Sequence, residues 1–192
     1  MKPLIECISE HLDFNLKEQK EISANFTSKT LKKGEFLLKS GQRAREMAYI
    51  ASGYLRMYNI ADGKEITLWI GSEASFITSL NSFVFESPNL WNIQAITDCE
   101  VQLIERTSHF KLLKTIPKWM EFDNIILARA FAILENRLFS HLHTTAQERF
   151  QELLNQDPKI FRHVPLQYIA STLGITPETL SRLRKNLNKI NS

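Results

Sequence analysis

The chain has 192 residues, 43% hydrophobic and 23% charged, with a formal net charge of +3. That length holds one large or two modest cores, and the composition is that of an ordinary globular protein, not a disordered or fibrous one. No apolar run approaches the ~20 residues needed to span a bilayer, so no membrane partner is expected. Glu6, Glu10 and Asp13 interrupt the opening stretch, which does not read as a secretory signal. Cys7 and Cys99 stand alone, without metal-ligand spacing, and fit a reducing cytoplasm.

Residues 2–24 read as two short helices, with Leu4, Ile5, Ile8 and Leu12 on one face. Five of the six glycines then fall between Gly34 and Gly71. They punctuate short strand-like runs at Glu35–Lys39, Met47–Ala51, Tyr54–Ile60 and Glu65–Ile70, and Ala61-Asp-Gly-Lys64 reads as a hairpin turn. Further strands are expected at Asn92–Ala95 and Val101–Glu105. Short, evenly spaced strands with turn signals describe a β-barrel or β-roll.

Pro117 opens a different regime. From Trp119 to about Thr145 there is neither glycine nor proline. Phe122, Ile126, Ala130, Ile133 and Arg137 lie near one stripe of this helix, and Phe131, Leu134, Leu138 and Leu142 lie on a neighbouring one. So broad an apolar arc needs two partners. One is the chain's own β domain, and the other is the same helix of a second copy; the alternative is burial within one chain.

Two helical patterns near the end of the chain meet at Gly174. Ile169, Ala170 and Leu173 make the apolar face of the first, and glycine freely adopts the left-handed conformation that ends a helix. Thr176 then serves as an N-cap, and Pro177 suits the first helical position. Leu180, Leu183 and Leu187 occupy one face of the second helix, with Glu178, Ser181, Arg182 and Lys185 opposite. This is the pattern of a helix-turn-helix whose polar face can enter a major groove. Arginine binds guanine O6 and N7, and glutamate accepts from cytosine N4. Thr176 and Thr179, at the helix start, can meet phosphate, as can Arg184 and Lys185. From Lys159 to Ser192 there are six Lys or Arg against one acid, so this end carries +5 and the rest −2. A basic piece on a near-neutral body is a common footprint on phosphate. The bland alternative is an ordinary helical hairpin with a solvated polar face, and a further one is a ligand-binding sensor module whose C-terminal helices dock a protein partner instead of DNA.

The order of β-roll, long helix and helix-turn-helix resembles the Crp/Fnr family of bacterial transcription regulators over nearly the whole chain. The residues that carry the resemblance are Lys33-Gly-Glu-Phe-Leu-Leu38 with Gly41, Ala51-Ser-Gly53, Ala146-Gln-Glu-Arg-Phe150 at the end of the long helix, and Ile175-Thr-Pro-Glu-Thr-Leu-Ser-Arg182. It implies that Glu178 and Arg182 contact bases, and that a base-reading arginine often found at the position of Pro177 is missing. It also implies a sensor roll, in which nucleotide-binding members carry a Gly-Glu pair and, about ten positions later, a phosphate-gripping arginine. Here the stretch Phe76–Trp91 has no such pair, and Asn89 or a neighbour stands in the arginine's place. Leu134 and Glu135 replace the adenine-capping Thr-Ser pair. A phosphate buried without a cation costs several kcal/mol, so cyclic AMP is not expected, and no cysteine cluster offers an iron–sulfur site.

The effector is therefore unidentified. Arg56, Phe76, Ser79, Phe83, Asn89 and Trp91 are the candidates for its pocket, though the aromatic ones can equally fill the core. His141 and His143 would point to different faces of a helix, which is unfavourable for a metal, and no catalytic motif is present. The reading is α+β: a sensor β-roll with flanking helices over 1–116, a dimerisation helix over 117–145 and a helix-turn-helix domain over 146–192. It implies a dimeric regulator that is not an enzyme and has no cofactor, with double-stranded DNA, a second copy and RNA polymerase as partners.

Overall fold

The computed structural model describes residues 2–190, with the side chains of 187–190 excluded. The helices α1 (Leu4–Ser9) and α2 (Leu16–Ala24) lead in. Asn15 starts α2 with a reciprocal capping box: its side chain accepts from Glu18 N–H while the Glu18 carboxylate takes the Asn15 N–H. The roll that follows has eight strands: β1 (Phe26–Leu31), β2 (Phe36–Leu38), β3 (Glu46–Ser52), β4 (Leu55–Ala61), β5 (Lys64–Gly71), β6 (Ser75–Ile77), β7 (Asn92–Ala95) and β8 (Cys99–Glu105). They form two antiparallel four-stranded sheets, in the orders β1-β8-β3-β6 and β2-β7-β4-β5. β1 and β6 lie outside the strand runs expected from sequence. In β1, Thr27–Thr30 are exposed and give no alternation to read.

Asp62 and Gly63 both have positive φ, 51° and 71°, as the expected two-residue turn between β4 and β5 requires. Gly53 has φ +91°, and a Cβ there would sit 2.5 Å from the Asp98 carbonyl, so no other residue fits this turn. β5 is one of the two edge strands of its sheet.

Helix α3 (Leu80–Phe85) lies between β6 and β7, and α4 (Arg106–Thr115) follows β8. Then comes α5 (Pro117–His143). Its first turns bury Trp119 and Phe122 in the roll's core beside Phe14, Tyr49 and Ile8, and Ile126 packs at the margin of that core. The start of that stripe, Phe122 and Ile126, therefore turns inward, while Ile133 two turns on is exposed. The neighbouring stripe is solvent-facing in the single chain, with Phe131 and Leu138 63% and 65% exposed.

The long helix stops at His143. Thr145 then caps a new helix, α6 (Ala146–Gln156), with a second capping box through Glu148. The Ala146–Phe150 motif thus opens a separate helix and does not end the long one. Thr145 with Glu148 three residues on was the legible start signal. α7 (Ile160–His163), α8 (Leu166–Leu173) and α9 (Pro177–Ile190) complete the chain. Phe150, Ile160, Val164, Ile169, Ala170, Leu173 and Leu180 form a second core, which Ile96 of the roll joins.

Candidate nucleic-acid interface

α8 ends as its glycine demands. Gly174 has φ +69°, and its N–H and that of Ile175 return to the Ala170 and Ser171 carbonyls. Ile175 is drawn back onto the second core. Thr176 caps α9, with its hydroxyl accepting from Thr179 N–H at 3.3 Å and lying 3.2 Å from the Thr179 hydroxyl. Leu180 is fully buried and Leu183 packs beside it. The Leu187 side chain lies outside the described residues.

The other side of α9 is open. Thr176, Glu178, Arg182, Arg184 and Lys185 are exposed, while Thr179 and Ser181 are half-buried. Arg184 leans over the Phe161 ring at 6.0 Å, off the Glu178–Arg182 stripe. The Thr176 hydroxyl, then its own backbone N–H and the Arg182 charge, hold the Glu178 carboxyl below its ordinary range. Glu178 is consequently an ionised acceptor with a cation one turn away, a pair of groups chemically able to meet base edges.

The six effector candidates do not meet in one pocket. Arg56 points out of the roll. It is 1% exposed, its guanidinium lies between the Tyr58 and Tyr168 rings at 3.7 and 3.6 Å, and Tyr168 belongs to α8. Phe76 packs on Tyr49 and Phe122, and Phe83 on His109 and Phe110, so both fill the core. Ser79 is buried just ahead of α3, and Trp91 packs partly buried against the same core. Asn89 is buried and spends its amide on the Lys39 carbonyl and its oxygen on the Trp91 N–H. A hollow of about 450 Å³ lies elsewhere, lined by Leu37, Leu38, Arg43, Thr78 and Ile93 among others, and by none of the six.

One group of residues escaped the sequence reading. The last two carbonyls of α8 are not capped by its own turn. Thr172 O accepts from Arg137 Nη2 of α5 at 2.7 Å, and Leu173 O accepts from Arg149 Nε of α6 at 3.1 Å. Arg137 Nη2 also lies 3.2 Å from the Thr67 carbonyl of β5, and Ser171 Oγ accepts the Thr67 N–H and donates to the Glu65 carbonyl. The available signal is an arginine in line with the apolar stripe of Phe122, Ile126, Ala130 and Ile133.

Comparison with known proteins places this geometry. Residues 28–115 match the cyclic nucleotide-binding domain family. The chain is similar to the solved structure of FixK2 from Bradyrhizobium japonicum, at 20% identity and a TM-score of 0.75 over 86% of each chain. It is similar to the c-di-GMP-responsive global regulator CLP of Xanthomonas campestris, at 16% identity and TM-score 0.72 over 92% of this chain and 93% of that one. It is also similar to a putative transcriptional regulator of the Crp/Fnr family from Eubacterium rectale, at 21% and 0.70 over 92% and 84%. The fold is that of the Crp/Fnr-type regulators. No curated protein matches the chain by sequence. The Crp/Fnr likeness spans roll, long helix and C-terminal helices together. Among the described residues, no helix is long and apolar enough to cross a membrane.

Proposed function

We propose that the chain is a cytoplasmic, dimeric, sequence-specific DNA-binding transcription regulator, answering an effector other than cyclic AMP. In this reading residues 1–116 sense, 117–145 dimerise and 146–192 read DNA. The observation that carries it is α9: a capped helix behind a glycine turn, with Leu180 locked in a core and Glu178, Arg182 and Lys185 free on the opposite side. Two such helices related by the α5 stripe would meet successive major-groove faces of one duplex, with Arg184 and Lys185 against phosphate. RNA polymerase is the further partner of such a regulator.

Selection of duplexes from a random pool tests the proposal. It should enrich a two-fold symmetric sequence with half-sites one helical turn apart, ~10 base pairs. A pool that stays random at moderate salt would contradict it.

A further inference from the structure

We propose that the docking of α8 on the edge of β5, centred on Arg137 and Ser171, is a positioning device that fixes the direction in which α9 presents its reading face. The inference rests on the DNA-reading proposal and adds to it residues that would touch neither base nor phosphate.

The contact joins three parts of the molecule through few atoms. β5 has a free edge, and unpaired edge groups need partners. Ser171 of α8 supplies them, accepting the Thr67 N–H at 2.9 Å and donating to Glu65 O at 3.0 Å. Arg137 approaches from α5 and places one nitrogen between Thr67 O of the roll and Thr172 O of α8. The C-terminus of a helix carries partial negative charge, so a guanidinium there is favourable even where burial depresses its pKa. Arg56 adds a stack on Tyr168, one turn before Thr172. Its Nη1 lies 2.7 Å from Glu65 outside hydrogen-bonding geometry, and its Nη2 has no hydrogen-bond partner among the described residues. Arg56 is thus held by the Glu65 carboxylate and by two rings, and it loses the Tyr168 ring and the cover of α8 if that helix departs.

The face of α8 that meets the roll carries Tyr168, Ser171 and Thr172, and α9 turns Glu178, Arg182 and Lys185 to solvent. Docking therefore leaves the reading face open, and the docked arrangement is the one that binds. A dimer grips two half-sites at once only if both reading helices are held at the right angle. A reader free to swing loses that simultaneous engagement but keeps its grip on one half-site.

The variants Arg137→Gln and Ser171→Ala test this on the full-length chain. The Thr67 N–H donates to Ser171, so its hydrogen exchange reports docking without any DNA. Exchange at Thr67 should quicken at least about tenfold in Arg137→Gln; Ser171→Ala removes the acceptor itself, so in that variant the duplex affinities carry the test. Affinity for the duplex selected by the parent should fall about tenfold, while affinity for a shortened duplex with one half-site stays within about twofold. A merely structural defect would weaken both duplexes alike, and that result overturns the proposal. So does unchanged Thr67 exchange in Arg137→Gln, or tighter binding of the full duplex, which would mark the contact as an inhibitory latch. If Arg137→Gln does not fold, Ser171→Ala decides alone. A parent that selects no duplex overturns the DNA reading itself. A parent that selects one while the variants bind it equally well overturns only the positioning role.

Discussion

Leu138→Ala should separate the subunits. Leu127, Phe131, Leu134, Leu138 and Leu142 follow one another at steps of four, three, four and four, so they form one seam along α5. Leu138 is 65% exposed in the single chain. Fully burying a leucine contributes ~1.5–3 kcal/mol, so covering this one contributes about 1–2 kcal/mol per copy. The two-fold axis doubles the effect to about 2–4 kcal/mol, which raises the dimer dissociation constant between about thirtyfold and several hundredfold. Sedimentation velocity over a concentration series measures it. Leu16→Ala is the control, because Leu16 is 76% exposed on α2, outside the seam, and its loss should leave the dimer unchanged. The reasoning is refuted if the parent is a monomer at micromolar concentration, if Leu138→Ala dimerises as tightly as the parent, or if Leu16→Ala weakens the dimer as much.

Two further predictions concern the roll. His109 is buried among Phe83, Phe110 and Trp119, with Nε2 3.5 Å from Asp123, and burial pushes its pKa down to about 4. The unfolded chain, with a histidine near 6.5, binds more protons than the folded one in this window, so stability is lost as pH falls from 6.5 toward 4. Between pH 8 and pH 5 the loss should be about 2 kcal/mol in chemical denaturation and should vanish in His109→Gln; burial raises the Asp123 pKa, which opposes the trend at the acid end. Cyclic AMP and cyclic GMP should bind with dissociation constants above ~1 mM in calorimetry, because Asn89 already uses both ends of its amide on backbone. Micromolar affinity for either would mean that Arg43, at the hollow near Thr78, grips the phosphate instead.

What the sequence disclosed was local. A glycine at φ +69°, a threonine cap and leucines spaced at helical period define the turn and both helices from neighbours in the chain. The long helix was legible because nothing in it breaks a helix, and its expected end near Thr145 lies two residues past the observed one at His143. β1 was not legible, because its pairing with β8 is set by residues 68 to 78 positions away. The effector candidates are dispersed for the same reason. Pairing places Arg56 on the outer face of β4, opposite Ile70, where α8 covers it. The docking of α8 on β5 joins residues 67 and 171, and no periodicity reports a contact between segments so distant.

The central claim is that α9 reads base edges, and the single most direct test is the affinity and selectivity of Arg182→Ala on the duplex selected by the parent. Arg182 is exposed and outside both cores, so the variant should melt as the parent does. The account predicts a loss of ~1–3 kcal/mol on that duplex with relaxed preference at one position. Lys185→Ala should instead weaken all duplexes alike and lower the salt slope by about one. If Arg182→Ala binds the selected duplex as tightly and as selectively as the parent, α9 is not the reader and the account is wrong at its centre.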